Sequence, residues 1–186
     1  FMLAYYVDYM FVFGFNIGKY YSNFIKGEII PIGSIRNNIL TDSSGSNLKK
    51  TKKLAFISQW RPRSKDGVFL TTKNHQITHE AFYSSESVLL RFLSKWCQVN
   101  GYEFTIIGWA RGKLDLEQER IFYSSLVKSE YSFLSVEERL SSVNHLDCFD
   151  LFAFIDSTLG YDLLTKGKKA AAFSIRGSVL GIEGYD

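Results

Sequence analysis

"DLFAFIDSTLGYDLLTKGKKAAAFS" (150–174) is the stretch whose reading decides the fold. Its first apolar run, "DLFAFIDS" (150–157), shows no polar alternation, as expected of a strand buried on both faces. "TLGYDLLTKG" (158–167) has helical character and stops at Gly167. "KKAAAFS" (168–174) is a second apolar run. Two buried strands joined through a helix form a parallel unit, and such units build sheets covered on both faces.

The same alternation extends upstream. "KLAFISQW" (53–60) reads as a strand and "RPRSKDGVFLTTKNHQ" (61–76) as a long loop. "THEAFYSSESVLLRFLSKWCQVNG" (78–101) is an amphipathic helix, with Ala81, Phe82, Val88, Leu89, Phe92, Leu93 and Trp96 at helical spacing and Asn100-Gly101 as its stop. "YEFTIIGWA" (102–110) is a strand, 115–128 a helix, "YSFLS" (131–135) a short strand and "VEERLSSVN" (136–144) a short helix. Nearer the start, 8–14 is expected to be a buried strand, 15–25 a helix and 27–34 a short strand closed by Pro31 and Gly33. Between these parts, 36–53 is rich in Ser and Asn and ends in a lysine cluster, the composition of a linker.

Composition narrows the function classes. The 186 residues are 46% hydrophobic and 22% charged, with a formal net charge of +3, which is too little for a protein that grips nucleic acid by charge. Aromatic side chains reach 16%, and most of the Phe residues fall inside apolar runs, where they would fill a core. Cys97 and Cys148 form no CxxC and read as small buried hydrophobes in a reduced compartment. His75, His79 and His145 show no metal-ligand spacing with them, so no metal site is expected. No apolar stretch is long enough to span a membrane, and the opening "FMLAYYVDYMFVFGF" lacks the basic start and cleavage site of a signal peptide. The chain starts abruptly in apolar sequence and is expected to be a fragment of a longer protein.

Parallel sheets take ligands beyond the carboxyl ends of their strands, so the residues just after each strand matter most. These are Ser58, Gln59, Trp60 and Arg61; Gly108, Trp109 and Arg111; Ser135, with Glu138 completing a capping box; and Asp156, Ser157 and Thr158. Hydroxyl, aromatic and cationic side chains in such positions suit a nucleotide, with a stacked base, a hydrogen-bonded ribose and a phosphate held by amides and arginine. In the turn 156–162, Ser157 or Thr158 is expected to cap the helix and leave its amides facing the strand-end cleft. Gly160 permits close approach of a backbone or a ligand, and Asp162 lies one turn beyond Thr158 on the same face. A helix start that only packs remains the competing reading. No dinucleotide fingerprint, Walker loop or Gly-x-Ser-x-Gly elbow is present.

"STLGYDLLTKGKKAAAFS" (157–174) resembles the donor-site segment of GT-B-fold glycosyltransferases: Ser/Thr, then Gly and an acidic residue on a helix, then Gly-Lys-Lys-apolar on the next strand. "Gly-Ser-x-Arg-Asn-Asn" at Gly33, Ser34, Arg36, Asn37 and Asn38, followed by "KKLAFISQWRP" (52–62), is similar to the junction between halves in bacterial surface-carbohydrate biosynthesis proteins, Kdo-type transferases that use a CMP-linked sugar among them. The resemblance implies an α/β fold, the Rossmann-like donor-binding half of a GT-B fold with helices on both faces of a parallel sheet. Residues 1–50 would end a preceding Rossmann-like half and supply the linker. Residues 51–186 would form a truncated nucleotide-sugar-binding domain.

On that resemblance Ser157 and Thr158 face phosphate and Asp162 the ribose. The family more often carries Glu at that last position, and this chain has the shorter Asp. The implied activity is transfer of a sugar from a nucleotide-sugar donor in surface polysaccharide biosynthesis, with no cofactor and with a glycan or lipid-linked glycan as acceptor. The implied location is the cytoplasm, at or near the inner face of the membrane. Arg61, Arg63 and Arg111 are candidate cations for the leaving phosphate. His79, Glu80 and Glu86 are the local acid–base candidates, and none is assigned as catalytic, because that group would come from the preceding half. The alternatives are a non-catalytic nucleotide- or glycan-binding module, a nucleotide-sugar epimerase, or a polyol-phosphate transferase on the same fold.

Overall fold

Five parallel strands make the principal sheet, in the order β7-β6-β3-β8-β9. They are β3 (Lys52–Ile57), β6 (Tyr102–Ile107), β7 (Ser132–Leu134), β8 (Leu151–Phe154) and β9 (Ala170–Ala172). Counted along the chain from β3, this is the 3-2-1-4-5 order of a doubly wound sheet, with the reversal between β3 and β8. The computed structural model describes residues 5–33, 51–63, 68–71, 76–141 and 146–176. It divides the chain into two compact units, Phe1–Asp42 and Ser43–Asp186.

In the larger unit the helices cover both faces of the sheet. α2 (His79–Asn100) and α3 (Lys113–Leu126) cover one face. There Leu89, Leu90, Leu93, Cys97, Tyr123 and Val127 pack against Leu54, Phe56, Phe104 and Ile106. α5 (Thr158–Thr165) covers the other, where Leu163 packs with Ala55, Ile57, Ile107, Phe152 and Phe154. Every residue of β3 from Leu54 to Ile57 is buried, and the apolar run without alternation follows from having a core on each side. α2 begins at Thr78, whose hydroxyl accepts the Ala81 amide at 3.2 Å, and ends at Gly101 in the left-handed conformation, φ 68°, that glycine adopts without steric cost. α4 (Val136–Ser141) follows β7.

Several expectations are corrected. The stretch 61–76 is not all loop: β4 (Val68–Thr71) and β5 (Gln76–Thr78) pair antiparallel within and just beyond it. Cys97 is buried as expected, but Cys148 is exposed, in the turn preceding β8. The expected linker, 36–53, lies outside the described residues over 36–50, as do His75, His145 and the junction residues Ser34, Arg36, Asn37 and Asn38.

The smaller unit holds β1 (Tyr5–Val12), α1 (Phe15–Tyr21) and β2 (Ile25–Pro31), with β1 and β2 parallel. α1 lies close to the strands at Gly18, where a Cβ would come 2.4 Å from Cγ2 of Ile29. The stretch 8–14 was expected to be a buried strand, yet Tyr9, Phe11 and Phe13 within it are exposed. A parallel pair is normally covered on both faces, and among the described residues of this unit α1 is the one helix that packs on it.

Candidate functional site

The strand-end residues singled out from the sequence gather along the carboxyl edge of the principal sheet. Ser58 to Arg61 follow β3, Gly108 to Arg111 follow β6, Ser135 follows β7 and Ser157 follows β8. Backbone bonds tie the edge together: the Ser58 amide donates to the Ile107 carbonyl at 2.9 Å, and the Gly108 amide to the Leu134 carbonyl at 2.8 Å.

Beneath this edge lies a buried polar network centred on Glu119 of α3, which is fully buried. The Ser58 hydroxyl donates to its Oε1 at 2.5 Å, and the Trp109 amide to the same oxygen at 3.0 Å. The Ala110 amide donates to Oε2 at 2.9 Å. Three donors thus converge on one carboxylate. Burial pushes Glu119 above the usual carboxyl range, and the bonds from Ser58, Ala110 and Trp109 oppose that shift. Gly108 is small for a packing reason, since a Cβ there would lie 2.6 Å from Cζ of Phe133 and 3.2 Å from Oε2 of Glu119.

Tyr123, one turn beyond Glu119, extends the network. Its hydroxyl lies 2.7 Å from Oγ of Ser58 and 3.0 Å from Oε1 of Glu86. Glu86 on α2 in turn receives Nη2 of Arg176 at 2.8 Å, an ion pair with side chains 5% and 0% exposed. Arg176 also donates to Oε1 of Gln59 at 2.7 Å and stacks on Phe82, with Cζ 4.2 Å from the ring centre. Burial pushes Glu86 up, and the Arg176 charge pulls the other way.

The loop after β3 is pinned from α2 as well. The Arg61 amide donates to the Tyr83 hydroxyl at 2.9 Å, which itself donates to the Gln59 carbonyl at 3.0 Å. Nε2 of His79 lies 2.9 Å from the Arg61 carbonyl, so this nitrogen carries the proton. Burial holds His79 below the usual imidazole value. Above these buried supports two side chains face solvent together. Trp109 is 48% exposed, and the Arg61 guanidinium sits 6.0 Å from its ring centre. Arg111, two residues after Trp109, is also exposed, and Ala110 between them is buried.

The remaining candidates divide. Ser135 and Glu138 form the expected capping box, with the Ser135 amide on Oε2 of Glu138 at 2.7 Å and the Glu138 amide on Oγ of Ser135 at 3.2 Å. Arg63 is engaged by Glu80 in an exposed ion pair at 2.6 Å. At the start of α5, Ser157 is buried and occupies the N-cap position, but no side-chain hydrogen bond caps the helix, a correction to the expected capping by Ser157 or Thr158. Thr158 is exposed and Asp162 is buried. Gly160 makes room for the ring of Phe154, whose atoms would come within 2.3–2.5 Å of a Cβ. The neighbour that comes close is therefore the core of the domain.

Sequence reasoning passed over Glu119, Tyr123, Tyr83 and Arg176. The one available signal was Glu119 and Tyr123 four apart on α3, polar groups on its buried stripe. No helix among the described residues is long and apolar enough to cross a membrane.

A family model described as "putative O-antigen biosynthesis protein" matches residues 1–185. The chain belongs to that family, whose description sets it in the context of surface polysaccharide biosynthesis. No curated protein and no solved structure matches the chain.

Proposed function

We propose that this member of the O-antigen biosynthesis family is the donor-binding part of a GT-B-type glycosyltransferase that moves a sugar from a nucleotide-sugar, with a CMP-linked sugar among the candidate donors, to a glycan or lipid-linked glycan acceptor. The observation that carries the reading is the convergence of Ser58, Arg61, Trp109, Arg111 and Ser157 on the carboxyl edge of a parallel sheet in 3-2-1-4-5 order. In open α/β sheets that edge is where ligands bind.

The chemistry needs little from these residues beyond binding and charge. In transfer, the bond from the sugar's anomeric carbon to the donor phosphate breaks, and the phosphate leaves with the electron pair. An acceptor hydroxyl forms the new bond and gives its proton to a base. Positive groups at the leaving phosphate stabilise the charge that develops there. Arg61 and Arg111 are exposed and make no hydrogen bond or ion pair through their side chains among the described residues, so they can meet it, whereas Arg63 is held by Glu80. Ser157 and Thr158 follow β8 at the same edge, and Asp162, the ribose contact that the resemblance implies, lies one turn into α5 and is buried.

A non-catalytic nucleotide- or glycan-binding module is the second reading, in keeping with the local acid–base candidates Glu86, held by Tyr123 and Arg176, and Glu80, paired with Arg63.

Calorimetry of the full chain with CMP, UDP and GDP tests the binding step. Saturable binding of one of them, weakened in Asp162→Ala, supports donor recognition at this edge. Absence of binding to all three removes the reading. Product analysis with a nucleotide-sugar and a glycan acceptor then separates a transferase from a module that only binds.

A further inference from the structure

Trp109 is a large aromatic left half in solvent, on a loop whose backbone is unusually well held. The two successive amides of Trp109 and Ala110 both end on a buried carboxylate. Burying a carboxylate is costly unless every lone pair is used, and a loop that merely joined β6 to α3 would not need it. The neighbouring loop is held the same way: Arg61 is bonded at its amide and at its carbonyl by side chains of α2. Ser58 joins the two loops by donating to Glu119 and accepting the Trp60 amide at 3.0 Å. Rigid support below an exposed aromatic–cation pair is the arrangement of a preorganised binding face.

We propose that Trp109 and Arg61 form the face on which the base of the nucleotide stacks, and that Glu119 is the positioning residue that builds this face. The proposal rests on the reading that a nucleotide is bound at this edge, and it assigns the base to the Trp109 ring, beside the cations Arg61 and Arg111 that meet the phosphate. An indole offers a π-face to any base. The Arg61 guanidinium, at 6.0 Å, is at the long limit of a cation–π contact, so little is lost when a base takes its place over the ring. Its donors then turn to the base edge or to phosphate oxygens. Glu119 acts through geometry alone. Both its oxygens accept, and an amide side chain there would present an N–H to a backbone N–H and displace the loop.

The test uses the full chain, the three nucleotides CMP, UDP and GDP, and ribose 5-phosphate as a probe without a base. Trp109→Ala is expected to weaken the preferred nucleotide roughly 5- to 100-fold and to leave ribose 5-phosphate unchanged, while Trp109→Phe retains most of the affinity. Trp60 is buried and Trp96 half-buried, so stacking is also expected to quench chiefly Trp109 emission, and Trp109→Phe should lose the quench while keeping the binding. Glu119→Gln should weaken the nucleotide and spare ribose 5-phosphate. If that variant unfolds, the two Trp109 variants decide the matter from the surface. Equal nucleotide affinity in wild type and Trp109→Ala overturns the base face while leaving a nucleotide site in place. No nucleotide binding to the wild type overturns the underlying reading together with this one.

Discussion

Ser58 and Glu119, 61 residues apart, share a buried hydrogen bond of 2.5 Å that ties the end of β3 to α3. Because Glu119 also holds the Trp109 and Ala110 amides, its loss strands donors from two loops at once. Each buried donor without a partner costs about 1–3 kcal/mol. Glu119→Ala should therefore lower unfolding stability by about 3 kcal/mol or more, seen as a drop in the urea midpoint at unchanged slope. Ser58→Ala should cost less, since Glu119 then keeps its two backbone donors. Equal, small losses for both variants would show that the carboxylate does not organise the loops.

The Glu86–Arg176 pair predicts non-additivity. Arg176 fastens the segment after β9 to α2, and both partners are buried. Removing one charge leaves the other buried and unpaired, at a cost of about 3–5 kcal/mol. Glu86→Leu and Arg176→Met should each be severely destabilising. The double variant should be closer to wild type than the sum of the two, because both desolvation costs vanish together. A double-mutant cycle in urea measures the coupling, and strict additivity would mean the ion pair is not the strap.

The sheet was legible in the sequence because its strands are buried on both sides and so appear as unbroken apolar runs. "KLAFI" and "LFAFI" are visible without knowing their neighbours. The strand-end residues followed from topology alone. The β4–β5 hairpin was not legible, because Val68-Phe69-Leu70 is too brief an apolar run to stand out from a polar loop. Glu119 was hidden for a different reason. "DLEQER" offers three acids on one helix, and only the packing of α3 determines which one turns inward. Arg176 lies past β9, where no pattern indicates a partner 90 residues away. The polar groups that hold the site together are set by tertiary contacts, which leave little periodicity to read.

Gly160 separates packing from ligand approach. A methyl group there would fall within 2.3–2.5 Å of the Phe154 ring, which is itself fully buried between α5 and the sheet. Gly160→Ala should destabilise by about 1–3 kcal/mol, as overpacking does, despite the better helix propensity of Ala. Adding Phe154→Leu should recover part of the loss by yielding space. A stable Gly160→Ala protein that has lost only nucleotide affinity would instead mean that a ligand, not Phe154, occupies the space.

His79 gives the stability a pH dependence whose sign is fixed by its burial. The folded protein holds it below its ordinary value, chiefly through desolvation, with Arg63 adding to the effect and the Arg61 carbonyl and Glu80 opposing it. In the unfolded chain its pKa is about 6.5. As pH falls below that value the unfolded state takes up the proton first, so stability is lost down through the folded pKa and is complete above about pH 7. The urea midpoint should therefore fall between pH 7.5 and 5.5. In His79→Gln, whose amide can still donate to the Arg61 carbonyl but does not titrate, that part of the slope should disappear. An identical pH slope in the two proteins would mean that the imidazole protonates as easily folded as unfolded, and that its ring is not desolvated between α2 and the Arg61 loop.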